Sequence, residues 1–502
     1  RPKQIKDPAK VSEVLSEILE IPPSFILKKI GENRPFTWIK RQLPRTTSDK
    51  VVALGIPGVG AVMESKRLYP LNEAGSTLIG KAGLDGNGLS GVELLFDEKL
   101  RGPTVSKRVG RDALGNIIDI SGHSEFIPPR GQQVELTIDA GIQVIMEEET
   151  EAGRRSANAK SAFAVMLDSE TGEVLGLSQA PATNFNLEGS KKRELGNMAI
   201  EAVFEPGSMM KPLVVAAALE LGLTKPEEII NCEGGRYPIY GKVIKDVHPY
   251  NLISVRDIII RSSNIGMTKL GLRMGKERLY NSLRSFGFGE RPKLGLPGET
   301  PGILRPENKW AMIDIATHSF GQGIAVTPIQ MARAVAAVAN GGRLPQLSVI
   351  KGGEEFHSKR IISEKVANTV REMMYAVVED EHGTGSKAIV EGVRVGGKTG
   401  TAQKARADGR GYAAGKYMAG FVGFADGSAI GVNRSITLMV VVDEPNTSTI
   451  YGGTLAAPVF KRIMQRSMHY LSTSAHLGGD SEQVNTSAQG KSYDVSLHKA
   501  SL

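Results

Sequence analysis

The sequence has few of the features that assign a chain quickly to a class of protein. Among its 502 residues there is one cysteine, Cys232, so no internal disulfide can form, and we predict a structural role for this thiol. No apolar run reaches the roughly 18 residues that a membrane-spanning helix requires. The eight histidines are scattered without the spacing of a zinc site, and no acidic cluster resembles a calcium site. We therefore predict no metal and no cofactor.

The chain also has only a small excess of charge of one sign. The 62 basic and 54 acidic side chains leave a formal charge of +8, and no dense cluster of lysine and arginine marks a nucleic-acid interface. We predict no nucleic-acid partner and expect at most a weak preference for anionic surfaces. With 40% hydrophobic and 23% charged residues, the composition indicates a globular chain long enough for two folded units.

The first part of the chain, residues 1–130, carries none of the residue patterns of a reaction centre. An amphipathic helix is predicted over residues 11–21, where Pro22 and Pro23 stop it. Residues 59–68 alternate between apolar and polar side chains, which predicts a strand. We expect a small mixed module that serves as a scaffold or an interaction surface.

A boundary is predicted at the Pro-Pro-Arg-Gly turn that ends at Gly131, with a second domain over residues 131–471. The turn Ser169-Glu-Thr-Gly172 joins two apolar runs and predicts a hairpin. Strands are predicted at residues 134–138, 163–168, 173–178 and 436–442, and helices at residues 143–154, 209–221, 255–274 and 329–340. Strands at both ends with helices between them indicate one sheet assembled from distant segments, an α+β architecture. Residues 472–502, rich in Ser, Gly, Gln and Asn, predict a disordered tail.

The segment Ser208-Met-Met-Lys211 combines a hydroxyl with a lysine at helical spacing. Pro212 is tolerated only in the first turn of a helix, so the helix must begin close to Ser208. Lys211 then lies on the same helix face and can reach the hydroxyl. It removes the proton of Ser208 only if its own pKa is lowered, by burial or by a second cation such as Lys398. Taken alone, Ser-x-x-Lys is common and is better explained by a helix cap and a solvated lysine.

The second short motif is Ser262-Ser-Asn264, inside a mostly apolar stretch. In a reaction centre, Ser262 would relay a proton, and the amide of Asn264 would hold both Lys211 and a substrate amide, since it donates and accepts at once. In isolation, a polar junction between helices explains the motif better.

The third motif is Lys398-Thr-Gly-Thr401, after an apolar run. Gly400 has no side chain, so another backbone or a ligand can approach closely. Such a strand edge can bind an extended peptide by backbone pairing. Lys398 and the threonine hydroxyls can also receive a carboxylate.

Two other chemistries share some of these residues. Residues 392–399 fit the phosphate-loop pattern G-x-x-x-x-G-K-[ST], and residues 438–443 resemble the acidic strand that accompanies it. A phosphate loop must open into a helix, and the glycines after Thr399 oppose one, so a nucleotide site is a remote alternative. A Ser-His-Asp hydrolase is weaker still, because no G-x-S-x-G turn surrounds Ser208, and His318 is better explained as a packed or surface side chain.

The three motifs in this order form the signature of penicillin-binding proteins and serine β-lactamases. The chain resembles a class B penicillin-binding protein, a peptidoglycan D,D-transpeptidase, and most closely the division-specific, penicillin-binding protein 3 type. The resemblance extends over nearly the whole chain, to about Leu471. Further segments that carry it are residues 88–93, 136–139, 203–208, 320–323, 326–328, 451–453 and 456–460.

This resemblance implies a fold and a set of site residues. The implied fold is an antiparallel sheet flanked by helices, with a helical subdomain and a smaller N-terminal mixed α/β pedestal domain. The residues that it assigns to catalysis are Ser208, Lys211, Ser262, Asn264, Lys398 and Thr401. Those that it assigns to binding of the substrate or a β-lactam are Thr399, Gly400, Tyr417 and Tyr451.

The resemblance also implies a reaction, a location and partners. Ser208 would attack the bond between the two terminal D-alanines of a peptidoglycan stem peptide, and β-lactams would acylate the same serine. A membrane anchor is expected before Arg1, at the periplasmic face of the bacterial inner membrane and at the division septum. The division machinery and a glycan polymerase are the expected partners. The alternatives are an elongation-type transpeptidase, a β-lactamase or β-lactam sensor, and an inactive division scaffold.

Overall fold

The computed structural model describes residues 1–103, 110–111, 117–118, 131–187, 196–352, 357–406 and 411–482. The chain divides into two compact units. The first comprises Arg1–Asn72, Ile79–Gln133 and Phe185–Gly189, and the second comprises Glu73–Leu78, Val134–Asn184 and Ser190–Leu502. The main division, between Gln133 and Val134, lies close to the boundary predicted at Gly131.

Short helices dominate the described residues before Val134. They are α1 (Pro8–Leu19), α2 (Pro23–Ile30), α3 (Arg45–Ala53), α4 (Ser76–Ile79), α5 (Gly91–Leu95) and α6 (Asp97–Arg101), with the antiparallel strands β1 (Gly110–Arg111) and β2 (Ile117–Ile118). The helix predicted at residues 11–21 is confirmed as α1. Its N-terminus is capped by the carboxylate of Asp7, which accepts from Lys10 N at 3.1 Å. Its buried stripe, with Leu15 and Leu19, packs with Ile26 of α2 and Val51 of α3 in a small core.

The strand predicted over residues 59–68 is wrong. These residues have no regular secondary structure. An alternating pattern forms a strand only where one face is buried and a partner supplies hydrogen bonds. Here the neighbouring side chains of Val62 and Met63, which would point to opposite faces of a strand, are 60% and 92% exposed, so neither face is buried in a core.

The chain from Val134 onward builds one large sheet and the helices around it. The helices are α7 (Ala140–Ser156), α8 (Met198–Glu201), α9 (Lys211–Glu220), α10 (Val255–Ile260), α11 (Asn264–Ser285), α12 (Met312–Ser319), α13 (Pro328–Ala339), α14 (Glu364–Glu379), α15 (Gly452–Leu455) and α16 (Ala457–Glu482). The strands are β3 (Ser161–Asp168), β4 (Val174–Ala180), β5 (Ile229–Asn231), β6 (Arg236–Ile239), β7 (Lys242–Lys245), β8 (Leu252–Ser254), β9 (Arg343–Pro345), β10 (Ser358–Arg360), β11 (Arg394–Ala405), β12 (Tyr412–Asp426) and β13 (Ser435–Asp443).

The large sheet has five antiparallel strands in the order β11-β12-β13-β3-β4, so segments far apart in sequence meet in it. The predicted hairpin of β3 and β4 and the late apolar strand, β13, are confirmed. α7 and α16 cover one face through an apolar cluster that includes Met146, Met166, Leu438 and Phe460. α13 also packs on β3 and β13, which are buried on both faces. The predicted α+β class is confirmed.

Two other sequence predictions are wrong in part. Residues 134–138 do not form a strand but contribute a single bridge, from Leu136 to Ile350, because the chain leaves the pairing to start α7. The disordered tail predicted from Ser472 is wrong for residues 472–482, where α16 continues to Glu482, and the rest of the predicted tail lies outside the described residues. Over the ranges described above, no helix is long and apolar enough to cross a membrane.

Candidate active site

Ser208 lies in a turn that leads directly into a helix. Gly207–Met210 form a 3-10 turn, and α9 continues from Lys211 with Pro212 in its first turn, as the position of that proline predicts. Gly207 has φ of +53° and donates from its N–H to Gly321 O at 3.0 Å. A Cβ on Gly321 would lie 2.2 Å from Gly207 O, so only glycine fits there. The serine turn is therefore held in one conformation by its neighbours.

Lys211 is completely buried and joins the first motif to the second. Its ammonium donates to Ser262 O at 2.6 Å, to Asn264 Oδ1 at 2.8 Å and to Ser262 Oγ at 3.2 Å. All three acceptors are uncharged. Folding thus brings Lys211 to the Ser-Ser-Asn segment more than 50 residues further along the chain.

Ser262 interrupts what the sequence predicts as one helix over residues 255–274. α10 ends at Ile260, α11 begins at Asn264, and Ser262 between them has φ of +62°, in the left-handed region that non-glycine residues rarely adopt. This break places the Ser262 carbonyl and hydroxyl on the same lysine. Strained backbone of this kind is found most often at functional sites.

The third motif lies in β11, the edge strand of the large sheet. Lys398 is completely buried, and its ammonium donates to Thr384 Oγ1 and to Thr399 Oγ1, both at 3.3 Å. Thr399 in turn donates to Thr384 Oγ1 at 3.0 Å. Thr384 is a site residue that the sequence motifs do not reveal, because it lies in a loop outside all three of them.

Glycines bring the strand β11 against the serine turn. A Cβ on Gly400 would lie 2.8 Å from Pro206 O, which is the kind of close backbone approach predicted for this residue. A Cβ on Gly207 would lie 3.3 Å from Thr401 O. Thr401 Oγ1 also accepts from Gly452 N at 3.1 Å. The first and third motifs are therefore packed side by side.

Both buried lysines are shifted towards their neutral form. Burial, together with the charge of Lys398, lowers the pKa of Lys211 well below its usual value, and Asp246 and Cys232 oppose this effect. Burial lowers the pKa of Lys398 to about 7. A neutral amine can accept a proton from a hydroxyl, whereas an ammonium cannot, so Lys211 is suited to act as a general base.

Comparisons with known proteins agree with this arrangement. The family model described as "Penicillin binding protein transpeptidase domain" matches residues 162–465, which is more than half of the chain. The chain belongs to this family. It is 37% identical to the probable peptidoglycan D,D-transpeptidase PenA of Neisseria meningitidis over 94% of this chain and 81% of that protein. It is 34% identical to the peptidoglycan D,D-transpeptidase FtsI of Escherichia coli K12 over 92% of this chain and 78% of that protein.

Solved structures of penicillin-binding proteins confirm the fold. The transpeptidase domain of penicillin-binding protein 3 from Burkholderia pseudomallei has a TM-score of 0.61 at 37% identity, covering 68% of this chain and 98% of that chain. Penicillin-binding protein 3 from Mycobacterium tuberculosis has a TM-score of 0.69 at 29% identity, covering 82% of this chain and 91% of that chain. The resemblance to a class B, penicillin-binding protein 3 type is confirmed.

The two tyrosines predicted to line the cleft of this penicillin-binding protein, Tyr417 and Tyr451, each lie near Thr401 in the fold. Tyr417, on β12, pairs with Gln403, two residues beyond Thr401 on β11. Because side chains alternate along a strand, Tyr417 shares a face with the side chain of Thr401. Tyr451 is 57% exposed and precedes Gly452, the residue that bonds Thr401. Their contact with a ligand stays a prediction.

The rival chemistries fail on this geometry. Lys398 lies in the middle of β11, so the segment is a strand and not a phosphate loop that opens into a helix. His318 is completely buried and packs on Trp310 with ring centroids 4.4 Å apart, and burial lowers its pKa to about 4. It is a packed histidine rather than a general base. In the part of the chain that the structure describes, no group of three His, Cys, Asp or Glu side chains could hold a metal ion.

Proposed function

We propose that this protein is a serine D,D-transpeptidase that cross-links peptidoglycan stem peptides. The observation that carries the proposal is the environment of Lys211. This amine is completely buried, has a lowered pKa, follows Ser208 by one helical turn, and is held by Ser262 and Asn264. A buried lysine whose hydrogen-bond acceptors are all uncharged is costly to fold, so its presence one helical turn after Ser208 is best explained by proton transfer.

In the first half-reaction, Ser208 Oγ bonds to the carbonyl carbon between the two terminal D-alanines of a stem peptide. Neutral Lys211 takes the hydroxyl proton as this bond forms. The C–N bond then breaks, and the leaving D-alanine receives a proton on its amine through Ser262. The product is an ester between Ser208 and the shortened peptide.

The groups on β11 are suited to bind this substrate. As an edge strand, β11 can pair with an extended peptide. The ammonium of Lys398, with the hydroxyls of Thr399 and Thr401, would anchor the terminal carboxylate. Backbone N–H groups of Ser208 and Thr401 would stabilise the oxyanion, a contribution of about 3 kcal/mol for each donor.

In the second half-reaction, the amine of a neighbouring stem peptide attacks the ester. A new amide bond forms, Ser208 leaves as an alcohol, and the proton lost by the amine returns to its oxygen through Lys211 and Ser262. Asn264 would hold both Lys211 and the backbone of the peptide. A β-lactam enters the first half-reaction in the same way, but its leaving group stays attached, so Ser208 remains acylated.

The cellular role follows from the resemblance to division-specific transpeptidases. We propose that the protein acts at the division septum, on the periplasmic face of the inner membrane and through an N-terminal anchor, together with the division machinery and a glycan polymerase. Replacing the native copy with a Ser208→Ala variant should block septation while elongation continues, so that cells grow as filaments. Rounded cells would instead support the elongation-type alternative.

Mass spectrometry after incubation with benzylpenicillin tests the activity itself. We expect one covalent adduct on the peptide that contains Ser208, stable for minutes or longer, and none in the Ser208→Ala variant. Rapid hydrolysis of the penicillin without a lasting adduct would indicate a β-lactamase. The absence of any adduct from a folded chain would contradict the proposal.

A further inference from the structure

A short segment outside the three motifs holds the Ser-Ser-Asn turn in place. Lys245 is the last residue of β7, and Asp246 follows it. Asp246 Oδ2 accepts from Ser263 Oγ at 2.6 Å, while Oδ1 accepts from Asn264 N at 2.5 Å and from Ile265 N at 3.1 Å. The carboxylate thus bonds three consecutive residues at the start of α11. Its own backbone is anchored by a bond from Asp246 N to Gly235 O at 3.2 Å.

The same segment decides which way the amide of Asn264 faces. Asn264 Nδ2 donates to Lys245 O at 2.9 Å. Because a carbonyl oxygen can only accept, the NH₂ group must lie on this side, and Oδ1 must face Lys211, which donates to it at 2.8 Å. Lys245 and Asp246 therefore fix both the backbone and the side chain of Asn264.

Asp246 also acts on Lys211 through its charge. Three ionisable groups from separate parts of the chain influence Lys211: Lys398 from β11, Asp246 after β7 and Cys232 after β5. Burial and Lys398 lower the pKa of Lys211, whereas Asp246 raises it. Cys232 and Tyr250 also feel the charge of Asp246, and the pKa of each is raised, chiefly by burial. Both are therefore neutral near pH 7, which leaves Asp246 as the anion of this group.

We propose that Asp246 is a positioning residue that holds the Ser262 turn on Lys211 and supplies a counter-charge to this lysine. The proposal rests on the proposed function, because it assumes that neutral Lys211 is the base for acylation. It separates two contributions of one side chain. The hydrogen bonds hold the geometry, and the charge sets the pH range over which the base is available.

The experiment measures the second-order rate of acylation by a fluorescent penicillin between pH 5 and 9. In Asp246→Asn the amide oxygen can keep the bonds from Asn264 N and Ile265 N, and the NH₂ group can donate to Ser263 Oγ in place of the bond that the carboxylate accepted, but the charge is lost. We expect the rising limb of its pH profile to move to lower pH, because loss of a nearby anion makes Lys211 easier to deprotonate. Asp246→Glu keeps the charge and should leave the limb where it is in the native protein. Asp246→Ala loses both contributions, and its rate should fall about tenfold or more.

The matched control is Asp257→Asn. Asp257 also bonds a helix start, since its carboxylate accepts from Ser254 Oγ at 2.8 Å at the beginning of α10, but it does not act on Lys211. Its pH profile should coincide with that of the native protein. An unmoved limb in Asp246→Asn, or an equal shift in Asp246→Glu, would overturn the proposal. If Asp246→Asn does not fold, Asp246→Ala decides, because it also lacks the charge and its rising limb should move to lower pH in the same way. Failure of the native protein to react at Ser208 would instead count against the proposed function.

Discussion

Two lysines on the same strand, Lys398 and Lys404, have opposite environments. Lys398 is buried and bonds hydroxyl oxygens, and its pKa falls to about 7. Lys404 bonds Asp443 Oδ1 and Glu444 Oε1, both at 2.8 Å. Burial lowers the pKa of Lys404, but these two bonds outweigh it and raise the pKa, and they help to lower the pKa of Glu444 to about 2. Full burial among uncharged partners shifts Lys398 towards its neutral form, whereas Lys404 is only partly buried and its carboxylate partners keep it charged.

The comparison explains how one strand serves both stability and catalysis. The ion pairs of Lys404 tie the end of β11 to the end of β13, where the charges stabilise the sheet. At Lys398 and Lys211, by contrast, every described acceptor within hydrogen-bond distance is uncharged. This arrangement leaves the amines free to exchange protons, at a cost in stability.

The largest effect is expected from removing the amine of Lys211, the proposed base. Lys211→Met should reduce the acylation rate by roughly 10²–10⁴-fold, because it removes the group proposed to take the proton of Ser208. Lys404→Met, which removes a lysine on β11 that is paired with carboxylates, should change this rate only a few-fold. The rate of adduct formation with a fluorescent penicillin measures both. Equal losses in the two variants would end the distinction between the two environments.

The pH dependence of the acylation rate of the native protein should reflect the titration of both buried lysines, Lys211 and Lys398. The proposed mechanism needs Lys211 neutral and Lys398 charged, so the second-order rate of acylation should rise with pH as Lys211 loses its proton. The rate should fall again, with a midpoint near pH 7, as Lys398 loses its proton. Lys404→Met should leave this bell shape unchanged. A rate that keeps rising to pH 9 would show that the charge of Lys398 is not needed.

The two lysines of β11 should affect stability with opposite signs. The pKa of Lys398 is lower in the folded chain than its usual 10.5, so stability is lost as the pH falls from 10.5 towards 7. At pH 7, Lys398→Met should therefore stabilise the protein by about 1–4 kcal/mol. Lys404→Met should destabilise it by about 1–3 kcal/mol, because Asp443 is only 4% exposed and loses its partner.

Urea unfolding of the three proteins at pH 7 and pH 9 checks this prediction. The difference between Lys398→Met and the native protein should be smaller at pH 9, because this pH is closer to the usual pKa of 10.5 and less of the stability has been lost there. If both variants are destabilised by the same amount, the opposite signs expected for the two lysines are wrong.

The smallest effect concerns Thr384, the hydroxyl shared by Lys398 and Thr399. Thr384→Val keeps the shape of the side chain but removes the oxygen, and acylation should slow by about 3–10-fold. Thr369→Val, which removes the hydroxyl that bonds Lys365 O at 2.9 Å on the exposed side of α14, is the matched control. A loss in the control as large as that in Thr384→Val would assign the effect to general destabilisation.

Much of the site was predictable from residue types and their local spacing. Pro212 alone places the start of α9 near Ser208, because its missing N–H is tolerated only in a first helical turn. The apolar runs of β3, β4 and β13 predict strands correctly, because these strands are buried on both faces. The prediction of a strand at residues 59–68 is wrong, because an alternating pattern does not show whether a partner strand is available for hydrogen bonding.

The contacts that give the site its chemistry were not predictable in this way. The residue types around Ser262 do not predict its left-handed backbone conformation. That conformation is held by the hydrogen bonds that Asp246 accepts and by the packing of two helices, which are tertiary contacts. Thr384 and Asp246 lie outside every motif. Each acts through a neighbour that only the folded chain supplies.

The amino-acid sequence by itself determined the three motifs, the start of the serine helix and the class of the fold, because these depend on local backbone preferences and on patterns of burial. The tertiary structure alone decided which lysine lies beside which oxygen. A pKa depends on distances of a few ångströms between groups far apart along the chain, and such distances exist only after the sheet has brought β11 to the turn at Ser208.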